Sequence, residues 1–253
     1  MVEVTRRAID GSQLLIASAE IDLKGGFTSS VQLSAHDTVV EIHASDRGYG
    51  QAIIDEFTAS DHYSFDESYS AAGGSVRMAY HLSVVPGTAQ TVTQRVVIWE
   101  GKATSMMFPI GGPSVPELGL AILDSLSLTE HDDGLEALPT GADAAYVSPP
   151  SVAWYLGDIG LLELTQRRAE SIEEAFPQVA VSDAVTTRAG QVVELTADDH
   201  DVAPIRHAFG LLGEDVQGLV FSVPGASTAQ VINGLDRLDV VSWRTPVPES
   251  SPL

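Results

Sequence analysis

Two short stretches bring imidazole and carboxylate groups together: Glu130-His131-Asp132-Asp133 and Asp198-Asp199-His200-Asp201. Donors of that kind suit a divalent cation. Neither stretch places two histidines at helical i, i+4 spacing, both read as loops where solvated charge is ordinary, and Asp201 reads as the cap of a following helix. No metal is expected. Gly48-Tyr49-Gly50 follows a strand-like run and precedes Ile53-Ile54 in the manner of a dinucleotide-binding turn. Ile53, however, stands where a third glycine must let helix and strand approach closely. Gly73-Gly74-Ser75 lacks the trailing glycine of a nucleophile elbow. Cysteine is absent, which removes thiol nucleophiles, disulfides and thiolate metal sites. His43 and His81 fall in strand-like runs, the setting of hydrogen-bonded structural histidines. These residues predict no cofactor and make no positive case for an enzyme.

Composition narrows the classes further. The chain has 253 residues, 44% of them hydrophobic, enough to bury a sizeable core. Thirteen basic residues stand against 35 acidic ones, giving a formal charge of -22. Such a surface repels phosphate backbones and anionic headgroups, so nucleic acid is not an expected partner. Lys24 and Lys102 are the only lysines, a usage that fits a GC-rich genome or, less well, a halophile. The apolar run Leu14-Leu15-Ile16-Ala17 is too short for a signal-peptide core and is followed by Glu20 and Asp22. No run reaches bilayer-spanning length. The expectation is a cytoplasmic protein that does not insert into a membrane.

The elements that must position these residues come in two groups. Ser30 to Leu33 and Thr38 to Ala44 read as strands separated by His36-Asp37, and Ala52 to Phe57 as a short helix. Arg77 to Val85 and Val92 to Trp99 read as a long hairpin around Pro86-Gly87-Thr88-Ala89-Gln90, followed by a third strand to Phe108. Pro113 and Ser114 then open a helix with Val115, Leu118, Ile122 and Leu126 on one face. Asp132 to Ala144 reads as a polar connector between halves. Pro149-Pro150-Ser151 begins a helical stretch carrying Val152, Tyr155, Leu156 and Ile159, which ends at Phe176-Pro177. Val179 to Thr187 and Gln191 to Leu195 read as strands about Ala189-Gly190. A helix capped by Asp201 follows, with Ile205, Phe209 and Leu212 inside and Gly213 at its end. Gly218 to Val223 reads as a strand, Ser227 to Leu238 as a helix and Val240 to Trp243 as a last strand.

The chain also says one thing twice. Phe108, Gly112, Ser114, Glu117 and Ile122 match Phe221, Gly225, Ser227, Gln230 and Leu235 at a constant offset of 113 positions. Ser-x-x-Glu and Ser-x-x-Gln are capping boxes at helix starts. The fold class expected is α+β, a central, largely antiparallel sheet with flanking helices and pseudo-twofold related halves. One domain over 1–253 would hold halves at about 1–131 and 145–245, with 246–253 as a tail.

The order of these elements resembles the EspG family of actinobacterial type VII secretion chaperones. The likeness rests on Val179-Ala180-Val181-Ser182-Asp183 leading through Ala189-Gly190 to Val192-Val193, on Gly218 to Gly225 with the helix to Leu238 and Ser242-Trp243, and on the meander Val96 to Phe108. It covers about residues 77–245 and consists of element order and turns. The first sixty residues lack the helical start expected of that family, and the chain is short for it. The resemblance implies a non-catalytic cytosolic binding protein that covers the helical tip of a PE/PPE-type secreted pair. Such a role needs exposed apolar surface. Pro86, Gly87, Thr88, Ala89 and Gln90, with Val231 and Ile232 of the last helix, are the partner-binding residues expected. The alternative is a small-molecule enzyme or sensor with a pocket between the halves.

Overall fold

The computed structural model describes residues 1–84, 91–111, 115–177, 184–195 and 207–245. In chain order the elements are β1 (Val2–Arg7), β2 (Gln13–Ser18), β3 (Phe27–Ala35), β4 (Thr38–Asp46), α1 (Arg47–Ala59), β5 (Ser64–Phe65), β6 (Tyr69–Ala71), β7 (Gly74–Val84), β8 (Thr91–Glu100), β9 (Thr104–Ile110) and α2 (Pro116–Asp124). There follow β10 (Leu126–His131), β11 (Gly134–Pro139), β12 (Ala145–Tyr146), β13 (Ser151–Leu156), β14 (Gly160–Gln166), α3 (Ile172–Ala175), β15 (Val185–Thr187), β16 (Gly190–Leu195), β17 (Ala208–Leu212), β18 (Val216–Ser222), α4 (Thr228–Asp236) and β19 (Val240–Arg244). The class is mixed α+β, and the sheets are mostly antiparallel.

The chain divides into two compact units, each drawing on more than one segment. One comprises residues 1–7, 12–27 and 151–253; the other comprises 8–11 and 28–150. In the second, the strand order is β3-β4-β9-β8-β7-β5, with β12 on β3, β6 on β7, and β10 paired with β11. In the first, it is β13-β14-β18-β17-β16-β15, with a separate sheet β1-β2-β19. The connectivity is the same: a strand pair, a helix, and a meander whose last strand returns beside the second strand of the pair. The meander ends Thr104–Ile110 and Val216–Ser222 are both seven residues long, and the helices Pro116–Asp124 and Thr228–Asp236 are both nine. The structural spacing is therefore 112 positions (116 to 228), one fewer than the sequence match gives.

Period-two patterning explains the strands. Val31, Leu33 and Ala35 of β3 and Val40, Ile42 and Ala44 of β4 are buried, whereas Gln32 and Glu41 point out. They join one core with Met78, Val97, Trp99, Phe108, Ile122, Leu123, Leu135 and Ala137. Helix α2 lies close against this sheet because Gly119 has no side chain. A Cβ there would come within 2.8 Å of Val97 Cγ2.

Several expectations are corrected. The stretch after Pro150 is mostly not helical: it holds β13 and β14, and only Ile172–Ala175, just before Phe176, is a helix. Val152, Trp154 and Leu156 alternate inward on β13, and Leu162 and Leu164 do so on β14, so the apolar residues follow a period of two. Phe209 and Leu212, assigned to a helix, lie on β17 between β16 and β18. Asp201 lies outside the described residues. The supposed connector 132–144 is largely a hairpin: β10 and β11 pair from Leu126↔Pro139 to His131↔Gly134, with Asp132-Asp133 at the turn. Helix α2 begins at Pro116 with Val115 at its N-cap and no side-chain cap. Proline suits that first position because its missing N–H would have no helical partner. Ser114 lies outside the described residues, and Leu126 opens β10. The second capping box is present: Ser227 Oγ accepts from Gln230 N, and Gln230 Oε1 accepts from Ser227 N at 2.8 Å. Gly48-Tyr49-Gly50 is the first turn of α1, not a loop. Asp46 caps that helix, and Gly50 N donates to Ser105 Oγ at 2.9 Å.

Candidate functional site

Hairpin β7–β8 is the longest ladder, running from Ser75↔Glu100 to Val84↔Thr91. Its root is flanked on both sides. Strand β9 pairs from Glu100↔Ser105 to Arg95↔Ile110, and β5 pairs at Ser64↔Tyr80 and Phe65↔Ala79. Beyond these ladders the hairpin continues through His81↔Gln94, Leu82↔Thr93, Ser83↔Val92 and Val84↔Thr91. Arg95 anchors the root: its Nε lies 3.1 Å from Asp66 Oδ2, and its guanidinium stands 5.4 Å from the Tyr80 ring centre. Both partners of that ion pair are largely buried, so it holds geometry in a way that an exposed pair does not.

Beside the outer edge of β7 sits an aromatic cluster. Phe57 and Tyr63 stack with ring centres 4.2 Å apart; Tyr63 lies 5.6 Å and His62 6.1 Å from His81. Leu82, the next residue along, is 59% exposed. From Met78 to Gln94 the sequence carries no Asp, Glu, Lys or Arg. This uncharged stretch stands out on a chain of net charge -22.

Of the partner-binding residues expected from sequence, Pro86, Gly87, Thr88, Ala89 and Gln90 lie outside the described residues. Val231 is 1% exposed, on the inner face of α4 with Leu235, so it is a core residue and is withdrawn as a contact. Ile232 is half-buried. Sequence reasoning did not single out Leu82, Tyr63 or His62. The absence of charge along both hairpin arms is a sequence signal that points to Leu82 alone.

In the first acidic and imidazole cluster, Glu130 is engaged in holding the fold. Glu130 lies on β10, and its carboxylate caps the β8–β9 turn. Oε1 accepts from Ala103 N at 2.8 Å, Thr104 N at 2.9 Å and Thr104 Oγ1 at 2.8 Å, while Oε2 accepts from Lys102 N at 3.0 Å. Burial alone would raise this carboxyl, but the bonds from Ala103, Lys102 and Thr104 together hold it at about 2, against an ordinary 4.5. Gly101 completes the fit, because a Cβ there would come within 2.5 Å of Glu130 Oε1. His131 Nε2 is 3.6 Å from Glu136 Oε2 across the hairpin. Nearby, Tyr146 donates to the Ala137 carbonyl; burial raises its hydroxyl, and Asp10 and Glu136 add to the effect.

In the other unit, Glu194 bridges His207 Nδ1 and Thr228 Oγ1, each at 2.9 Å. An open concavity of about 350 Å³ beside Arg167 offers no free cation from that residue. Its guanidinium donates to the carbonyls of Ala169, Glu170 and Gly213 at 2.7, 2.7 and 2.9 Å. Among the described residues no three His, Asp or Glu side chains converge as metal ligands. Among the same residues no helix is long and apolar enough to cross a membrane. The Asp198 to Asp201 cluster lies outside the described residues. No family model, no curated protein and no solved structure matches the chain.

Proposed function

We propose that this is a non-catalytic protein-binding chain, a cytosolic chaperone that covers an apolar helical segment of a PE/PPE-type secretion substrate, as its resemblance to the EspG family implies. The observation that carries the reading is the β7–β8 hairpin, which runs on past its neighbouring ladders, carries no charge from Met78 to Gln94 and exposes Leu82. A chaperone surface must offer apolar contact without burying an unpaired charge. The repeated order of strand pair, helix, meander and helix supports a duplicated architecture. We propose with it that the two units descend from one ancestral half and are pseudo-twofold related.

The test is co-expression with a PE/PPE-type pair, followed by affinity purification. Leu82→Asp places a charge on the proposed surface, and recovery of the pair should fall severalfold. The melting temperature should stay nearly constant, since exposed substitutions change stability by less than about 0.5 kcal/mol. Undiminished recovery removes this surface from the reading. Failure of the unaltered chain to recover any such pair removes the client class.

A further inference from the structure

We propose that the outer edge of β7, from His81 to Val84, accepts an extended segment of a partner protein as an added antiparallel strand. The geometry follows from register. Asp66 N donates to Met78 O at 2.9 Å, and Tyr80 pairs with Ser64, so Met78 and Tyr80 turn their main-chain groups toward β5 and away from β8. Antiparallel strands alternate strictly, so Leu82 and Val84 point their N–H and C=O groups the same way. The residues that would extend β5 to meet them do not. The chain turns there, with Tyr63 N donating to Ser60 O and His62 N to Ser60 Oγ. Among the described residues no backbone bond reaches Leu82 or Val84 from that side.

Proteins ordinarily blunt such an edge with lysine, proline, a bulge or an inward charge. Here the strand carries no charge from Met78 onward, and its ladder with β8 is unbroken to Val84↔Thr91. The chemistry of the occupant follows from the surroundings. A residue opposite Leu82 shares its exposed apolar face and is aliphatic. Its neighbours share the face of His81, with Tyr63 and His62 beside it, and are aromatic. The added strand runs parallel to the line of β5. Basic residues at its ends suit a chain of charge -22. A second copy of the chain would bring the same net charge against itself, which disfavours self-pairing. This inference concerns an extended segment, and it stands or falls separately from the helical client proposed above.

The probe is a short fluorescein-labelled peptide alternating isoleucine and tyrosine between terminal arginines, titrated into the full chain and followed by anisotropy. Leu82→Pro deletes an outward N–H and leaves the bonds of His81 and Ser83 to β8 in place, as proline is tolerated on edge strands. Peptide affinity should fall at least about tenfold. In the unaltered chain the amides of Leu82 and Val84 should exchange at least about tenfold more slowly with peptide bound. Equal binding by a folded Leu82→Pro chain, no binding up to about 1 mM peptide, or unchanged exchange at both amides overturns the proposal. If Leu82→Pro fails to fold, the exchange measurement decides alone. Sedimentation showing a dimer that Leu82→Pro abolishes would assign the edge to a second copy and overturn the occupant named here.

Discussion

Replacing Glu130 by glutamine or alanine separates the charge of this carboxylate from its hydrogen bonds. Glutamine keeps an oxygen for the three donors that meet Oε1 but turns an N–H₂ toward Lys102 N; alanine removes every acceptor. A carboxyl held at about 2 against an ordinary 4.5 corresponds to at most about 3.4 kcal/mol, at 1.36 kcal/mol per pKa unit. Glu130 is only half-buried, so solvent screening reduces this to about 1–2 kcal/mol. For a chain of this size, that lowers the melting temperature by about 3–6 °C. The folded-state value is depressed, so the contribution is present in full above about pH 4.5 and is lost as pH falls toward about 2. Scanning calorimetry on all three proteins from pH 7 to pH 2.5 is the assay. The other carboxylates titrate alike in each, and the difference isolates Glu130. The gap between unaltered chain and Glu130→Gln should narrow steadily below pH 4.5, with Glu130→Ala the less stable variant at pH 7. A gap that stays constant across that range would refute the electrostatic account.

Two further outcomes follow from the backbone and the division into units. His36 and Asp37 form the two-residue turn between β3 and β4 with φ of 51° and 58°, left-handed values that glycine adopts without strain; Asp37→Gly should raise stability by about 0.5–1 kcal/mol in urea titrations, whereas Asp37→Val should lower it. Expressed apart, residues 1–141 and 142–253 each lack strands of their own unit, because β2 pairs with β19; the two pieces should melt cooperatively only when co-expressed, and a cooperative melt of 142–253 alone would contradict the unit boundaries.

The fold was legible where one local signal dominated. Alternating β-branched residues about Pro86 to Gln90 located β7, β8 and β9 to within three residues at each end, and Ser227 with Gln230 located the start of α4. It was not legible where two periodicities fit the same residues. Val152, Leu156 and Ile159 satisfy helical spacing, but Val152, Trp154 and Leu156 satisfy strand spacing as well, and pairing with β14 decides the matter at long range. Asp132 and Asp133 read as loop because they are, yet the turn is only those two residues, and the flanking strands were hidden by Glu130 and Glu136. The site divides in the same way. Val231 has the same chemistry whether it faces a partner or the core; only the inward face of α4 distinguishes the two.

Among the described residues, several polar side chains are engaged by the chain itself, and that shifts the search for function to the backbone. The carboxylate of Glu130 is taken up by the turn at Lys102 to Thr104, His207 and Thr228 by Glu194, Arg95 by Asp66, and the guanidinium of Arg167 by three carbonyls. A side chain already held by local partners must break those bonds before it can serve a ligand, at a cost of roughly 1–3 kcal/mol for a buried group and less for exposed ones such as His207 and Glu194. The outward main-chain groups of Leu82 and Val84 face no such competition from the described residues, and they are fixed in a ladder that pays the ordering entropy before any partner arrives. Recognition by an edge already paired on its other side requires no catalytic geometry. It is compatible with a charge-free hairpin on a strongly acidic chain, whereas recognition by surface charge would have placed acidic residues on both arms.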